Sequence, residues 1–279
     1  MIINYLDENF NLLAPDEYMH KVAHESLQEV DVCLTFDDAL KCQFDVIYPE
    51  LEKRKLKAFF FVYSAAFSDN PPPLEFFRDF RLNFFNDVDE YYDLFFNTVR
   101  RLYRDQYDLF LKKYPVDYLS AFPFYTENDK KYRFMRDKVL KEQYFDLVFA
   151  MMEGKKYSQS ERTHQLFMSV DNIKTLHNSG HTIGLHSHSH PTQIDNLSYE
   201  SQLEEYKKNY DFISSITQEK INVMSHPCGN YNDDTLKILK SLGVKVGFRS
   251  SLTPSNVKSS LEIPREDHAN IINQIKGKA

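Results

Sequence analysis

The feature that most narrows the fold is the order of short segments near the start of the chain. Residues 31 to 36, DVCLTF, form a β-rich run that ends in two aspartates, Asp37 and Asp38. ALKCQFDVIYPELEKRK follows, with apolar residues at helical spacing and a basic end, as the helix dipole prefers. KAFFFVYSAAF is then a continuous apolar run that reads as a buried strand. Strand, helix and strand in this order predict a βαβ unit and hence a parallel sheet. The 279 residues are enough for one large domain, or for one domain carrying an insertion.

An insertion is expected from about Ser68 to Ser160, where Phe and Tyr crowd among charges in DNPPPLEFFRDFRLNFFNDVDEYYDLFFNTVRRLYRDQYDLFLKKY. Pairs such as Phe76/Phe80/Phe84 predict amphipathic helices. Pro71, Pro72 and Pro73 mark where the segment begins, and EGKKYSQSER is its polar exit. The aromatic density reads first as helix packing. A lid, a sugar-stacking surface or a homodimer interface are the functional alternatives. Beyond it the alternation resumes. SVDNIKTLHNSG is a helix with Ser169 or Asp171 near its start and Gly180 at its end. HTIGLHSHSH is a strand running into a histidine cluster, and SYESQLEEYKKNYDFISSIT is a second amphipathic helix. KINVMSHPCGNYN, DDTLKILKSLG and VKVGFRSS read as strand, helix and strand.

Three polar clusters fall where strands end: TFDD, HSHSHP and SHPCGNYN. In parallel α/β folds the carboxyl ends of strands share the face that carries the site, so residues distant in sequence converge there. Two carboxylates and two or three imidazoles at one point describe a mononuclear metal site with a neighbouring base. Along an extended strand i and i+4 lie about 13 Å apart, too far for one ion. Pro191 disfavours helical geometry at His190, so the cluster must curl at the strand end. Spacing alone leaves the pairs 186/190, 186/188 and 188/190 open.

These residues together resemble the NodB-homology polysaccharide deacetylases, carbohydrate esterase family 4. Thr35-Phe36-Asp37-Asp38 matches the first motif of that family, and GHTIGLHSHSHP matches the second. Ser225-His226-Pro227-Cys228-Gly229 is an altered form of the third, usually Arg-x-Pro-Tyr-Gly. The resemblance covers about Asp31 to Val62 and Ser169 to Arg249. It implies an α/β fold, a distorted and incomplete (β/α) barrel with an α-helical insertion. Asp38, His186 and His190 would hold a divalent metal, zinc by preference, with His188 left as the intervening residue. Asp37 would be the base that activates water against an acetamide carbonyl. The Cys228 backbone N–H, with Pro227, Gly229 and Tyr231 around it, would form the oxyanion and substrate side.

The departures define two further expectations. Ser225 stands where the family carries an arginine that orients the base, and Arg265 in IPREDH would supply the guanidinium. No intact Leu-x-His motif follows, so the general acid falls to His268, with His226 as its rival. The activity implied is N-deacetylation of an amino-sugar-containing polysaccharide or glycan precursor, with an N-acetylated saccharide as substrate. Deformylation or other amide hydrolysis on the same metal is an alternative. A carbohydrate-binding protein of the same fold that has lost activity is another.

A net charge of −7 argues against a nucleic-acid surface. No apolar stretch is long enough to span a bilayer, and the first residues lack the basic and apolar regions of a secretory signal. Cys33, Cys42 and Cys228 are scattered and odd in number, which predicts buried free thiols in a reducing compartment and favours the cytoplasm. His20 and His24 also stand four apart but lack a carboxylate partner, and read as one face of a helix. His177 and His181 flank a helix C-terminus, where a partly charged imidazole suits the dipole.

Overall fold

The computed structural model describes residues 1–120, 125–250 and 258–277. The chain forms two compact units, Met1–Pro72 with His164–Ala279, and Pro73–Thr163. In the first, β1 (Asn11–Leu12) and β2 (Asp31–Val32) make a short parallel pair. β3 (Thr35–Asp37), β4 (Phe59–Val62), β5 (Thr182–Leu185), β6 (Val223–Ser225) and β7 (Val246–Phe248) form a parallel sheet in that order. The sheet curls into a half-barrel. Beyond β7, Ile263 bridges Phe248 in the parallel sense, and two residues later Arg265 reaches β3 at the opposite edge.

Parallel strands place all their carboxyl ends on one face. The register makes this concrete: Asp37 lies opposite Phe61, Phe61 opposite Gly184, and Leu185 opposite Met224. Asp37 ends β3, while His186 leaves the sheet directly after β5, so the two motifs emerge on the same face with only β4 between them.

The apolar run of β4 explains the layering. Phe59 and Phe61 point into the curl with Leu13, Tyr18, Val223, Val246 and Phe248. Phe60 and Val62 point outward with Ile173, Leu176, Ile213, Ile238 and Leu239 from the surrounding helices. A strand buried on both faces needs no polar alternation, and period-2 geometry sends successive phenylalanines to opposite layers. The helices are stopped and started by their own side chains. Ser169 and Asn172 form a capping box for Val170–Asn178, Asn232 and Thr235 one for Asp233–Ser241, and Ser198 caps Tyr199–Thr217.

Several segments differ from expectation. DVCLTF breaks after Val32, because β2 pairs with β1 whereas Thr35–Asp37 pairs with β4. KAFFFVYSAAF is a strand only over Phe59–Val62, and Ser64–Phe67 then winds into a 3₁₀ turn. The helix after Asp38 opens with a π turn, Gln43–Ile47, before Tyr48–Arg54 becomes α-helical. Pro49 brings no N–H to the carbonyl four residues back, which favours rewinding at this point.

The second unit is helical, with Leu74–Asn83, Val88–Leu102, Arg104–Lys113, Glu127–Phe134 and Gln143–Gly154 as α-helices, and Gln159–Leu166 begins at its end. Its aromatic residues pack on one another. Tyr91 meets Phe80, Phe85, Phe95 and Tyr132 at centroid distances of 5.8–6.2 Å, and all but Phe85 are fully buried. Three of these contacts are edge-to-face and the Tyr91–Phe95 pair is stacked, and both arrangements add to the burial of large rings. No described helix is long and apolar enough to cross a membrane.

Candidate metal centre

Asp38 follows β3 in the left-handed region (φ 78°), a conformation that aspartate tolerates better than most residues. Its carboxylate Oδ1 lies 3.3 Å from His186 Nε2 and 3.4 Å from His190 Nε2. The three donor atoms all fall within 4.8 Å of one another. Tetrahedral zinc with bonds near 2.0–2.1 Å separates neighbouring ligand atoms by about 3.3 Å, so the two Asp38 edges fit such an ion. The donor set, one carboxylate oxygen and two imidazole nitrogens, also suits zinc and similar divalent ions.

The imidazoles are aimed by their surroundings. His186 Nδ1 donates to the Ser225 carbonyl at 2.8 Å, which leaves the Nε2 lone pair directed at Asp38. Its backbone N–H donates to Asn209 Oδ1 at 2.9 Å, and Asn209 Nδ2 donates to the Val62 carbonyl at 2.9 Å. One buried carboxamide thereby pins the ends of β4 and β5 together. The curl to His190 passes through Ser187 (φ 61°) and ends at His190 itself (φ 56°), with the His190 N–H donating to Ser187 Oγ at 3.1 Å. His188 faces elsewhere: its Nδ1 shares a hydrogen bond with Ser64 Oγ at 2.9 Å. Of the three clustered histidines, two meet Asp38 and the middle one ties the loop to the turn after β4.

Asp37 sits beside this group, its Oδ2 3.8 Å from His186 Nε2. Arg265 grips it with both nitrogens, Nη1 donating to Oδ1 at 2.8 Å and Nη2 to Oδ2 at 2.6 Å. Arg265 also donates to Thr35 Oγ1 and to the Arg249 carbonyl, so the fork is itself held. Ser225 Oγ adds a third donor to Asp37 at 3.2 Å. Burial opposes the Asp37 charge, but His186 and the Arg265 guanidinium outweigh it and hold the carboxyl below its usual range. Burial likewise works against charge on His186, yet Asp37 and Asp38 raise it above an ordinary imidazole. His190 goes the other way, lowered by burial and by the neighbouring His186.

The remaining candidates lie differently. Cys228 occupies a left-handed turn (φ 53°) between buried Pro227 and Gly229 (φ 72°), and its residue is exposed. A Cβ on Gly229 would come within 2.2 Å of Ser250 Oγ, so the turn requires glycine. Tyr231, expected toward substrate, instead donates its hydroxyl to Glu262 at 3.0 Å and stacks on His226 at 4.3 Å. His226 is fully buried, its Nε2 bonded to the Leu261 carbonyl at 2.8 Å, and burial pushes its pKa down to about 4. This Nε2 is taken up by the Leu261 carbonyl and not by Asp37 or Asp38. His268 does not join the cluster either. It opens the helix His268–Ile275, its side chain is 76% exposed, and Nδ1 lies 3.4 Å from Asp267.

Two further readings need correction. Cys42 and Cys228 are exposed, not buried, Cys42 at the start of the helix after Asp38 and Cys228 in the turn after β6, and none of the three forms a disulfide among the described residues. His181 is buried and accepts from the Ala58 N–H at 3.1 Å, and burial lowers its pKa to about 4, so it is neutral rather than partly charged. Asn209 and Glu205 carry no signal in the sequence, since lone polar residues on an amphipathic helix resemble a solvated face.

A curled parallel sheet with a carboxylate–two-histidine group and a carboxylate–arginine pair at its strand ends defines the class of NodB-type half-barrels. Residues 135–247 match the polysaccharide deacetylase family model, which takes in both histidines and the altered third motif. Over that stretch the chain is similar to the polysaccharide deacetylases. Solved structures share the fold over nearly the whole chain. A deacetylase PplD from Streptococcus pyogenes, in complex with acetate, is 16% identical over 100% of this chain and 84% of its own (TM-score 0.54). IcaB from Ammonifex degensii is 13% identical over 100% and 87% (TM-score 0.57). The BpsB deacetylase domain from Bordetella bronchiseptica is 12% identical over 95% and 82% (TM-score 0.54). At these identities the likeness is one of fold. No curated protein matches the chain.

Proposed function

We propose that this protein is a metal-dependent N-deacetylase of an amino-sugar-containing saccharide, with Asp38, His186 and His190 as ligands and zinc as the preferred ion. The observation that carries the reading is the meeting of those three donors with Asp37, itself held in a two-point grip by Arg265. A bound divalent ion would supply Lewis-acid polarisation and a more acidic water. Asp37 is set to accept the proton of a water attacking the acetamide carbon. Its low pKa keeps it ionised and ready at neutral pH.

Once protonated, Asp37 is a strong acid beside Arg265 and can return that proton to the leaving sugar nitrogen. One carboxyl then serves both half-reactions, acetate and a free amine being the products. Neither His226, buried and bonded to Leu261, nor His268, turned to Asp267, favours a separate histidine acid. The Cys228 N–H at the left-handed turn is the proposed oxyanion donor, with Pro227 and Gly229 holding the turn. Arg265 supplies the guanidinium absent at Ser225, which favours an active enzyme over an impaired binding protein. Three cysteines without a disulfide among the described residues, two of them exposed, favour a reducing compartment and hence a cytoplasmic saccharide.

Acetate release from N-acetylglucosamine oligomers by the zinc-loaded protein tests the proposal. Turnover that disappears in Asp37→Asn, with metal still bound, is expected. Equal turnover in that variant, or release of formate from an N-formyl analogue alone, would overturn it.

A further inference from the structure

The helix Tyr199–Thr217 has no motif residue, yet one of its faces is bonded to the histidine loop at several points. Glu205 and Asn209 stand four apart and so project side by side. Asn209 holds the His186 N–H and the Val62 carbonyl. The Glu205 carboxylate accepts from the His188 N–H at 3.0 Å, the Ser189 N–H at 2.8 Å and Ser189 Oγ at 2.8 Å. These are charge-assisted bonds to two successive backbone amides, in the segment that separates the two imidazoles.

The loop needs such a hold. Ser187 and His190 both adopt left-handed backbone, which is unfavourable for a residue other than glycine. Two such residues within four positions favour an opened loop in which the rings of His186 and His190 drift apart. Against this stand the Ser187 Oγ contact, the His188–Ser64 pair and the three bonds to Glu205. Glu205 makes the largest share of them and is the only charged member.

We infer that Glu205 is a positioning residue for the metal centre: its carboxylate fixes the 187–190 turn so that His190 meets Asp38 and His186 before any ion arrives. The inference rests on the metal-site reading above and extends it to a residue that touches neither ion nor substrate. Preorganisation of this kind appears as affinity, because a loop already closed gives up less entropy when the ion binds. Outer partners of metal ligands typically contribute 10- to 100-fold in affinity.

Zinc affinity by competition with a chromophoric chelator, and the visible spectrum of the cobalt(II)-substituted protein, form the test. Glu205→Gln is expected to weaken zinc about 10- to 100-fold and to broaden or weaken the cobalt bands. Ser189→Ala, which removes one of the three contacts, is expected to give a smaller loss and guards against a folding defect in the first variant. Glu204→Gln, on the same helix but paired with Lys208, is the control and should leave both readouts unchanged. If Glu205→Gln lowers only the melting temperature while affinity and spectrum match the wild type, Glu205 is structural and the inference is wrong. If the wild type takes up neither ion, the metal-site reading itself fails and takes the inference with it.

Discussion

Replacing Arg265 with methionine separates two things that the guanidinium does for Asp37. In the wild type the carboxylate accepts from Nη1 at 2.8 Å, Nη2 at 2.6 Å and Ser225 Oγ at 3.2 Å. Arg265→Met leaves the serine alone. Loss of an adjacent cation typically raises a carboxyl pKa by about 1–3 units, or about 1.4–4 kcal/mol. The base must be ionised, so the acidic limb of kcat/KM against pH should move upward by about that many units.

Above the new limb a second loss remains, because a base no longer held in plane is misplaced; roughly 100-fold in kcat is expected for such an error. Arg265→Lys keeps the charge and loses the fork. Its limb should move little, while most of the kcat loss persists. Acetate release from the zinc-loaded variants, followed from pH 4 to 9, reads both quantities. An unmoved limb with full kcat in Arg265→Met, metal content unchanged, would refute the role assigned to the pair.

Other outcomes follow from the same structure. His181 and His226 have folded pKa values near 4, against about 6.5 for a free imidazole. Between those values the unfolded chain binds more protons, so stability should be level above pH 7 and fall as pH drops from about 6.5 toward 4. Urea melts across that range check it, and stability constant down to pH 4 would contradict it. Gly184→Ala places a Cβ 2.6 Å from the Phe61 ring and 2.9 Å from the Val223 carbonyl, so a loss of about 1–3 kcal/mol is expected by thermal or urea melting. Phe80→Ala, in the second unit, removes a fully buried ring and should cost about 3–5 kcal/mol, read as an earlier urea transition.

Much of the fold was legible because strand ends announce themselves. TFDD, HSHSHP and SHPCGNYN each break an apolar run with polar residues, and parallel strands leave such breaks on a common face. The pairing of Asp38 with His186 and His190 needed the family motif as well, since spacing left three histidine pairs open. Arg265 was found only by asking where a missing guanidinium would come from; nothing in IPREDH marks it. Its reach across the curl depends on the Phe248–Ile263 bridge, a long-range contact that local pattern does not encode. The position of His268 was hidden for the opposite reason: lateness in the chain says nothing about burial, and its place at a helix start turns it to Asp267 and to solvent. Glu205 and Asn209 were invisible because their partners are backbone amides of a distant loop.

A zinc titration of the purified, chelator-stripped protein, compared with His186→Ala/His190→Ala at matched circular dichroism, bears most directly on the whole account. One tightly bound equivalent per chain in the wild type, absent from the double variant, is the predicted result. A wild type that takes up no ion, or a double variant that binds zinc equally well, would contradict it.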